Sequence, residues 1–267
     1  MFGAMSTQAN ARAALTFLLA AGADEAIAEA PIDRFQSAQQ PTVKPVTATP
    51  PTRTPPAAGI STAAAPNAVE SARSQVAQCQ DLTALRALMA AFDGCALRDT
   101  ATNLVFADGN PEARLMIIGE APGREEDRLG KPFVGESGQL LDRMLRAIAL
   151  DRSSVYITNI LPWRPPGNRK PTHQEIAICL PFIERHVELA RADIVLLTGG
   201  TAVGALLDRS EGITRVRGRW LTYRAGQREV AALATFHPAY LLRQPGQKRE
   251  VWQDLLKIQA RLREAEA

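Results

Sequence analysis

Leu115 to Ile118 form a four-residue apolar run, LMII, that stops at Gly119-Glu120-Ala121-Pro122-Gly123. A run so short with no polar face must be covered on both sides, as a strand is inside a sheet flanked by helices. The same rhythm repeats downstream. Arg114–Gly119, Ser154–Asn159, Asp193–Thr198 and Glu229–Phe236 read as strands. Between and after them lie helical patterns over Ser137–Ile148, Thr172–Leu189, Thr201–Leu207 and Gln247–Arg263. Ser137 is placed to cap the first of these, and Thr172 with Glu175 forms a capping box for the second. The fold class that follows is α/β: a three-layer α/β/α sandwich around a central, mostly parallel four-stranded sheet.

Upstream the chain changes character. Residues 1–37 contain Ala13–Ala23 (AALTFLLAAGA), which Arg12 precedes and Asp24-Glu25 follow at once. Without a cleavage pattern this reads as a short amphipathic helix and not as a signal segment. Residues 38–68, with prolines at 41, 45, 50, 51, 55, 56 and 66, read as an extended flexible linker. Residues 69–267 are expected to form the main folded domain, opening with a helical pattern from Val69 to about Phe92. No apolar run approaches the ~18–20 residues of a membrane span. Cys79, Cys95 and Cys179 are too few and too scattered for a disulfide framework, which points to a reducing, cytoplasmic setting. Residues 1–75 carry five basic and five acidic side chains, so the net charge of +3 belongs to the remainder, a balance that suits a polyanionic partner.

Three strands end in polar loops, at Gly119-Glu120, Thr158-Asn159 and His237-Pro238. In an open α/β sheet such ends converge on one crevice. Glu120, Asn159 and His237 therefore face a common ligand, with Phe133 nearby. An amide offering donor and acceptor side by side, an imidazole and an aromatic plane suit a planar, hydrogen-bonding heterocycle. No Gly-x-Gly-x-x-Gly or Walker loop follows any strand, which argues against a mononucleotide-binding enzyme.

These loops carry a family pattern: GEAPG at 119–123, EED at 125–127, PFVG at 132–135, TNI at 158–160, RPPGNR at 164–169 and HPAYLLR at 237–243. In that order they resemble the uracil-DNA glycosylase superfamily, and within it family 4, the thermostable type, over roughly residues 92–260. The resemblance implies an enzyme of base excision repair. It would flip uracil out of single- or double-stranded DNA and hydrolyse its N-glycosidic bond, leaving an abasic site. It implies stacking on Phe133, pairing of the uracil edge with Asn159, donation by His237 to the departing base, and Glu120 and Glu126 beside the attacking water. Ala121 and Asn168 complete the substrate set. Ser137, Arg164, Pro165 and Arg169 are expected to grip DNA, and Tyr240, Leu241, Leu242 and Arg243 to supply the wedge that fills the gap left by the flipped base. The rival reading is a non-catalytic DNA-binding member of the same fold. Retention of Phe133, Asn159 and His237 together argues against it. A monomer is expected, with residues 1–37 available to a protein partner.

Family 4 also implies a [4Fe-4S] cluster on four cysteines. Here only Cys95 and Cys179 occupy those positions; Phe92 and Trp163 stand at the other two, and neither can ligate iron. Cys79, thirteen residues before Phe92, is the conceivable stand-in. The expectation is no cluster, with Phe92 and Trp163 filling its volume as an apolar plug.

Overall fold

A computed structural model of the chain describes residues 65–209 and 211–264. The helical segment expected over 1–37 and nearly all of the expected linker lie outside these residues. The described elements are, in order, α1 Ala65–Val76, α2 Leu82–Ala91, α3 Leu97–Thr100, β1 Asp108–Gly109, β2 Leu115–Gly119, α4 Arg124–Leu129, α5 Glu136–Ala147, β3 Tyr156–Asn159 and α6 His173–Ala190. There follow β4 Ile194–Thr198, α7 Gly200–Leu207, α8 Ile213–Val216, β5 Trp220–Ala225, β6 Arg228–Thr235, α9 Pro238–Arg243 and α10 Lys248–Glu264.

The sheet runs β1-β3-β2-β4-β6-β5. Its centre is the four expected strands, parallel throughout, and two antiparallel edge strands extend it. β1 is two residues long, too short to leave a periodicity. β5 alternates between buried and open positions over Thr222–Ala225 and closes a hairpin with β6 through Gly226 at φ 59°. Every residue of β2, β3 and β4 is buried. Met116, Ile118, Val195 and Leu197 face a core shared with Leu85, Phe182 and Val187. Leu115, Ile117, Ile194 and Leu196 face the opposite one, shared with Leu141, Leu145, Leu255 and Ile258. Two apolar faces with helices on each make the three layers, and each such side chain contributes about 1.5–3 kcal/mol on burial.

Two local expectations change. The pattern from Val69 to Phe92 is two helices, because the Asp81 carboxylate accepts from the Ala84 amide at 2.7 Å and so starts α2 afresh. Ser137 does not cap α5. The helix begins one residue earlier, at Glu136, with Gly135 as its cap. The Thr172–Glu175 capping box forms as expected, with Glu175 N 3.2 Å from Thr172 Oγ1 and Thr172 N 2.8 Å from Glu175 Oε2.

Candidate active site

Parallel register sets Gly119 of β2 beside Asn159 of β3, and Thr198 of β4 beside Thr235 of β6. The strands therefore stop at one level, and the loops beyond them enclose a cleft of about 470 Å³. Glu120, Ala121, Glu126, Phe133, Ser137, Asn159, Pro165, Asn168, Arg169, His237, Tyr240 and Arg243 line it. A larger groove, about 720 Å³, lies between α1, α6, α7 and β5 and contains none of these residues.

Asn159 forms the floor. Its Nδ2 is buried and has no hydrogen-bond partner among the described residues. Its Oδ1 lies so close to Gly119 that a Cβ there would come within 2.3 Å of it and 2.6 Å of the Phe133 ring. Gly119 is thus the gap into which both side chains fit. Phe133 is almost fully buried and takes the left-handed conformation, φ 53°, which is costly for an aromatic residue. Its ring stacks on His237 with centroids 5.3 Å apart and planes inclined by 26°.

The two acids differ in their engagement. Glu126 is a brace: Oε1 accepts from the amides of Val134 at 2.9 Å and Gly135 at 2.8 Å, and Oε2 from that of Gly123 at 3.1 Å. The carboxylate ties the Gly123 turn to the loop that carries Phe133. Glu120 keeps its carboxylate in the cleft, where Oε2 accepts from Thr201 Oγ1 of α7 at 2.5 Å.

His237 caps α9. Its Nδ1 accepts from the Ala239 amide at 3.1 Å, so in the neutral ring the proton sits on Nε2. Burial pushes the imidazole down to about 4; the Arg243 guanidinium acts in the same direction, and the Glu126 carboxylate opposes them. At neutral pH the ring is an uncharged donor through Nε2.

The rim departs from the sequence reading in places. Leu241 is completely buried in the core, because α9 turns it inward, and so it is no wedge. Leu242, 40% exposed, stands on the outside. Arg164 is not in the lining; its Nε donates to Asn168 Oδ1 at 2.7 Å. Arg169 is bound by Glu175 through two bonds of 2.9 and 2.6 Å. Lys170, unnoticed in the sequence, lines the cleft beside it. The run Arg169-Lys170 offered that signal, but the family pattern ends at Arg169.

A family model described as the uracil DNA glycosylase superfamily matches residues 106–256. The type-4 uracil-DNA glycosylase of Thermotoga maritima is 38% identical over 169 residues, covering 62% of this chain and 86% of that protein. That of Archaeoglobus fulgidus is 39% identical over 168 residues, covering 61% and 84%. The chain belongs to the uracil-DNA glycosylase superfamily, in its type-4 branch.

Type-4 uracil-DNA glycosylases usually carry an iron–sulfur cluster, and the four cluster positions of this member can be tested against its packing. The buried Cys95 and Cys179 thiols are coupled: Cys179 draws the Cys95 thiol below its ordinary value, while Cys95 and burial hold Cys179 well above its own. Phe92 and Trp163 are almost fully buried in the same core, with Phe92 packed edge-on against Phe182 at 4.9 Å. Among the described residues no group of three or more His, Cys, Asp or Glu is placed to hold a metal ion, and the Cys79 thiol points instead to the Gln75 carbonyl at 3.8 Å. Two thiols and two rings do not fit a four-thiolate cluster.

Proposed function

We propose that this glycosylase excises uracil from DNA, the first step of base excision repair, and that Asn159 reads the base. The carrying observation is the orphaned Asn159 Nδ2. A buried donor without a partner costs about 1–3 kcal/mol, which an acceptor on a ligand removes. Uracil supplies it: its O4 accepts from Nδ2 while its N3–H donates to Oδ1. Cytosine presents the inverse pattern and would leave both groups opposed.

Phe133 gives the flipped ring a stacking plane. As the bond between C1′ of the sugar and N1 of uracil breaks, its electron pair passes to the base, and His237 Nε2–H donates to O2 and stabilises that anion. An uncharged donor suits this task, since it serves over the whole neutral range. Water completes the hydrolysis at C1′. Glu120, aimed into the cleft and held by Thr201, positions that water and supports positive charge on the sugar. Glu126 acts through the loops it ties together. The duplex or single strand is gripped at the rim by Lys170, Arg243 and Arg169, with Tyr240 and Leu242 as the wedge. We read residues 69–267 as the catalytic domain, working as a monomer in a reducing cytoplasm, and residues 1–37 as a tether for a protein partner. Among the described residues no helix is long and apolar enough to cross a membrane.

A uracil-containing oligonucleotide tests the reading. Wild-type protein should generate alkali-labile abasic sites, and Asn159→Ala and His237→Ala should each lose about 100-fold or more in rate. Normal rates in both variants would refute the site.

A further inference from the structure

The Phe133 backbone is held by a guanidinium outside the cleft as well as by Glu126. Arg152 lies in the turn leading into β3 and uses its whole fork. Nε donates to Asp142 Oδ1 of α5 at 2.8 Å, and Nη1 donates to Asp108 Oδ2 of β1 at 2.7 Å. Nη1 also reaches the carbonyl of Pro132 at 3.2 Å, and Nη2 donates to the carbonyl of Phe133 itself. The two carboxylates orient the guanidinium, and the guanidinium holds two successive peptides of the loop. Gly138 completes the seat, since a Cβ there would come within 1.7 Å of the Phe133 carbonyl oxygen. An aromatic residue at φ 53° does not rest there by preference; these contacts hold it from the carbonyl side, as Glu126 holds the two amides that follow.

We propose that Arg152 is a positioning residue for uracil excision: by clamping the Pro132–Phe133 backbone between β1 and α5 it sets the plane on which the flipped base stacks. This rests on the reading that Phe133 stacks on uracil. Arg152 does not line the cleft and touches no substrate. Its task needs several donors in a fixed plane, which arginine has and lysine lacks. Without the clamp the loop relaxes toward ordinary backbone geometry and the ring leaves its place against Gly119 and His237. Displacement of about 1 Å at a reacting centre costs up to about 100-fold in rate.

The test compares Arg152→Met in two backgrounds, wild type and Phe133→Ala, on a uracil-containing oligonucleotide. It also measures inhibition by free uracil and affinity for uracil-free DNA. Arg152→Met should lower kcat/KM by about tenfold or more in the wild-type background and by less than about twofold once Phe133 is gone. Inhibition by free uracil should weaken while affinity for uracil-free DNA stays the same. Arg152→Lys, which keeps the charge between the aspartates, should fall between, and carries the same comparison if the methionine variant does not fold. An unimpaired Arg152 variant beside an impaired Phe133→Ala overturns the proposal. So does an equal loss in both backgrounds, which would mark Arg152 as merely structural. Full activity of Phe133→Ala would instead sink the stacking reading, and the proposal with it.

Discussion

Gly119→Ala tests how finely the floor of the cleft is fitted. An added Cβ would lie 2.3 Å from Asn159 Oδ1 and 2.6 and 2.7 Å from Phe133 Cζ and Cε2. Ordinary contact requires about 3.4 Å or more, so the amide and the ring must each retreat by about 1 Å. Neither can retreat freely: Asn159 ends a fully buried strand, and Phe133 sits in a backbone held by Glu126 and Arg152. An overpacked methyl of this kind costs about 1–3 kcal/mol of stability. The loss in chemistry is larger, because both groups proposed to hold uracil move together, and about 100-fold in kcat/KM is expected. Single-turnover cleavage of a uracil-containing duplex measures it, with affinity for uracil-free DNA unchanged. Gly200→Ala is the control, since a Cβ there meets nothing within 4 Å. A Gly119→Ala enzyme within threefold of wild type would refute this account of the floor, and an equal loss in Gly200→Ala would show that the assay reads general damage.

Three further outcomes follow from the same structure. Phe92→Ala removes a buried ring and should cost about 3–5 kcal/mol, lowering Tm by about 10 °C, while cleavage at 25 °C stays within threefold; a Tm shift under about 3 °C would show that the ring carries no packing load. Burial pushes the His186 ring down to about 3 and is the main cause holding His237 near 4, so the unfolded chain takes up protons first as pH falls below 6.5. Stability measured in urea should therefore be full above about pH 6.5 and decline as pH drops toward 4, at up to about 1.4 kcal/mol per unit for each ring, and His186→Gln should remove one share of that slope; an unchanged slope would contradict the assignment. Lys170→Ala should reduce the salt dependence of DNA affinity by about one charge, and Arg169→Ala, whose guanidinium is held by Glu175, by less; the reverse order would refute this reading of the rim.

What could be read from the chain, and what could not, divides along a physical line. β2 and β4 are legible as continuous apolar runs and β3 as an alternating one, and the cleft follows because polar residues stand at or just beyond the strand ends. The edge strands left no such mark: β1 is too short, and β5 alternates only over part of its length. At the rim, spacing could not tell Leu241 from Leu242, since one residue along α9 separates the core from solvent. The family resemblance puts Glu126 beside the attacking water as a catalytic acid. Only coordinates reveal that three backbone amides occupy its carboxylate. Arg152 and Thr201 were invisible for the same reason: their partners are remote in sequence, and neither belongs to a motif.

The buried aromatic pair and the cleft are joined by the loop that follows β3. That loop starts with Leu161 and Trp163, both buried, and the Pro162 carbonyl accepts from the Val105 amide at 2.9 Å. Two residues after Trp163 it enters the cleft wall with Pro165, and continues there through Asn168, Arg169 and Lys170. A loop that must present a wall and rim charges needs its base fixed, or ordering it on DNA would cost backbone entropy at every binding event. In relatives with a four-thiolate cluster, a covalent ligand at position 163 would supply that anchor. Here a buried indole does so, by packing into a core that also holds Phe92, Phe182, Cys95 and Cys179. Dispersion and burial are less directional than a metal bond, but they hold the loop's base in place. The wall of the cleft therefore stands on a base of packed aromatic rings, and its rim charges stay in place without being ordered anew by DNA.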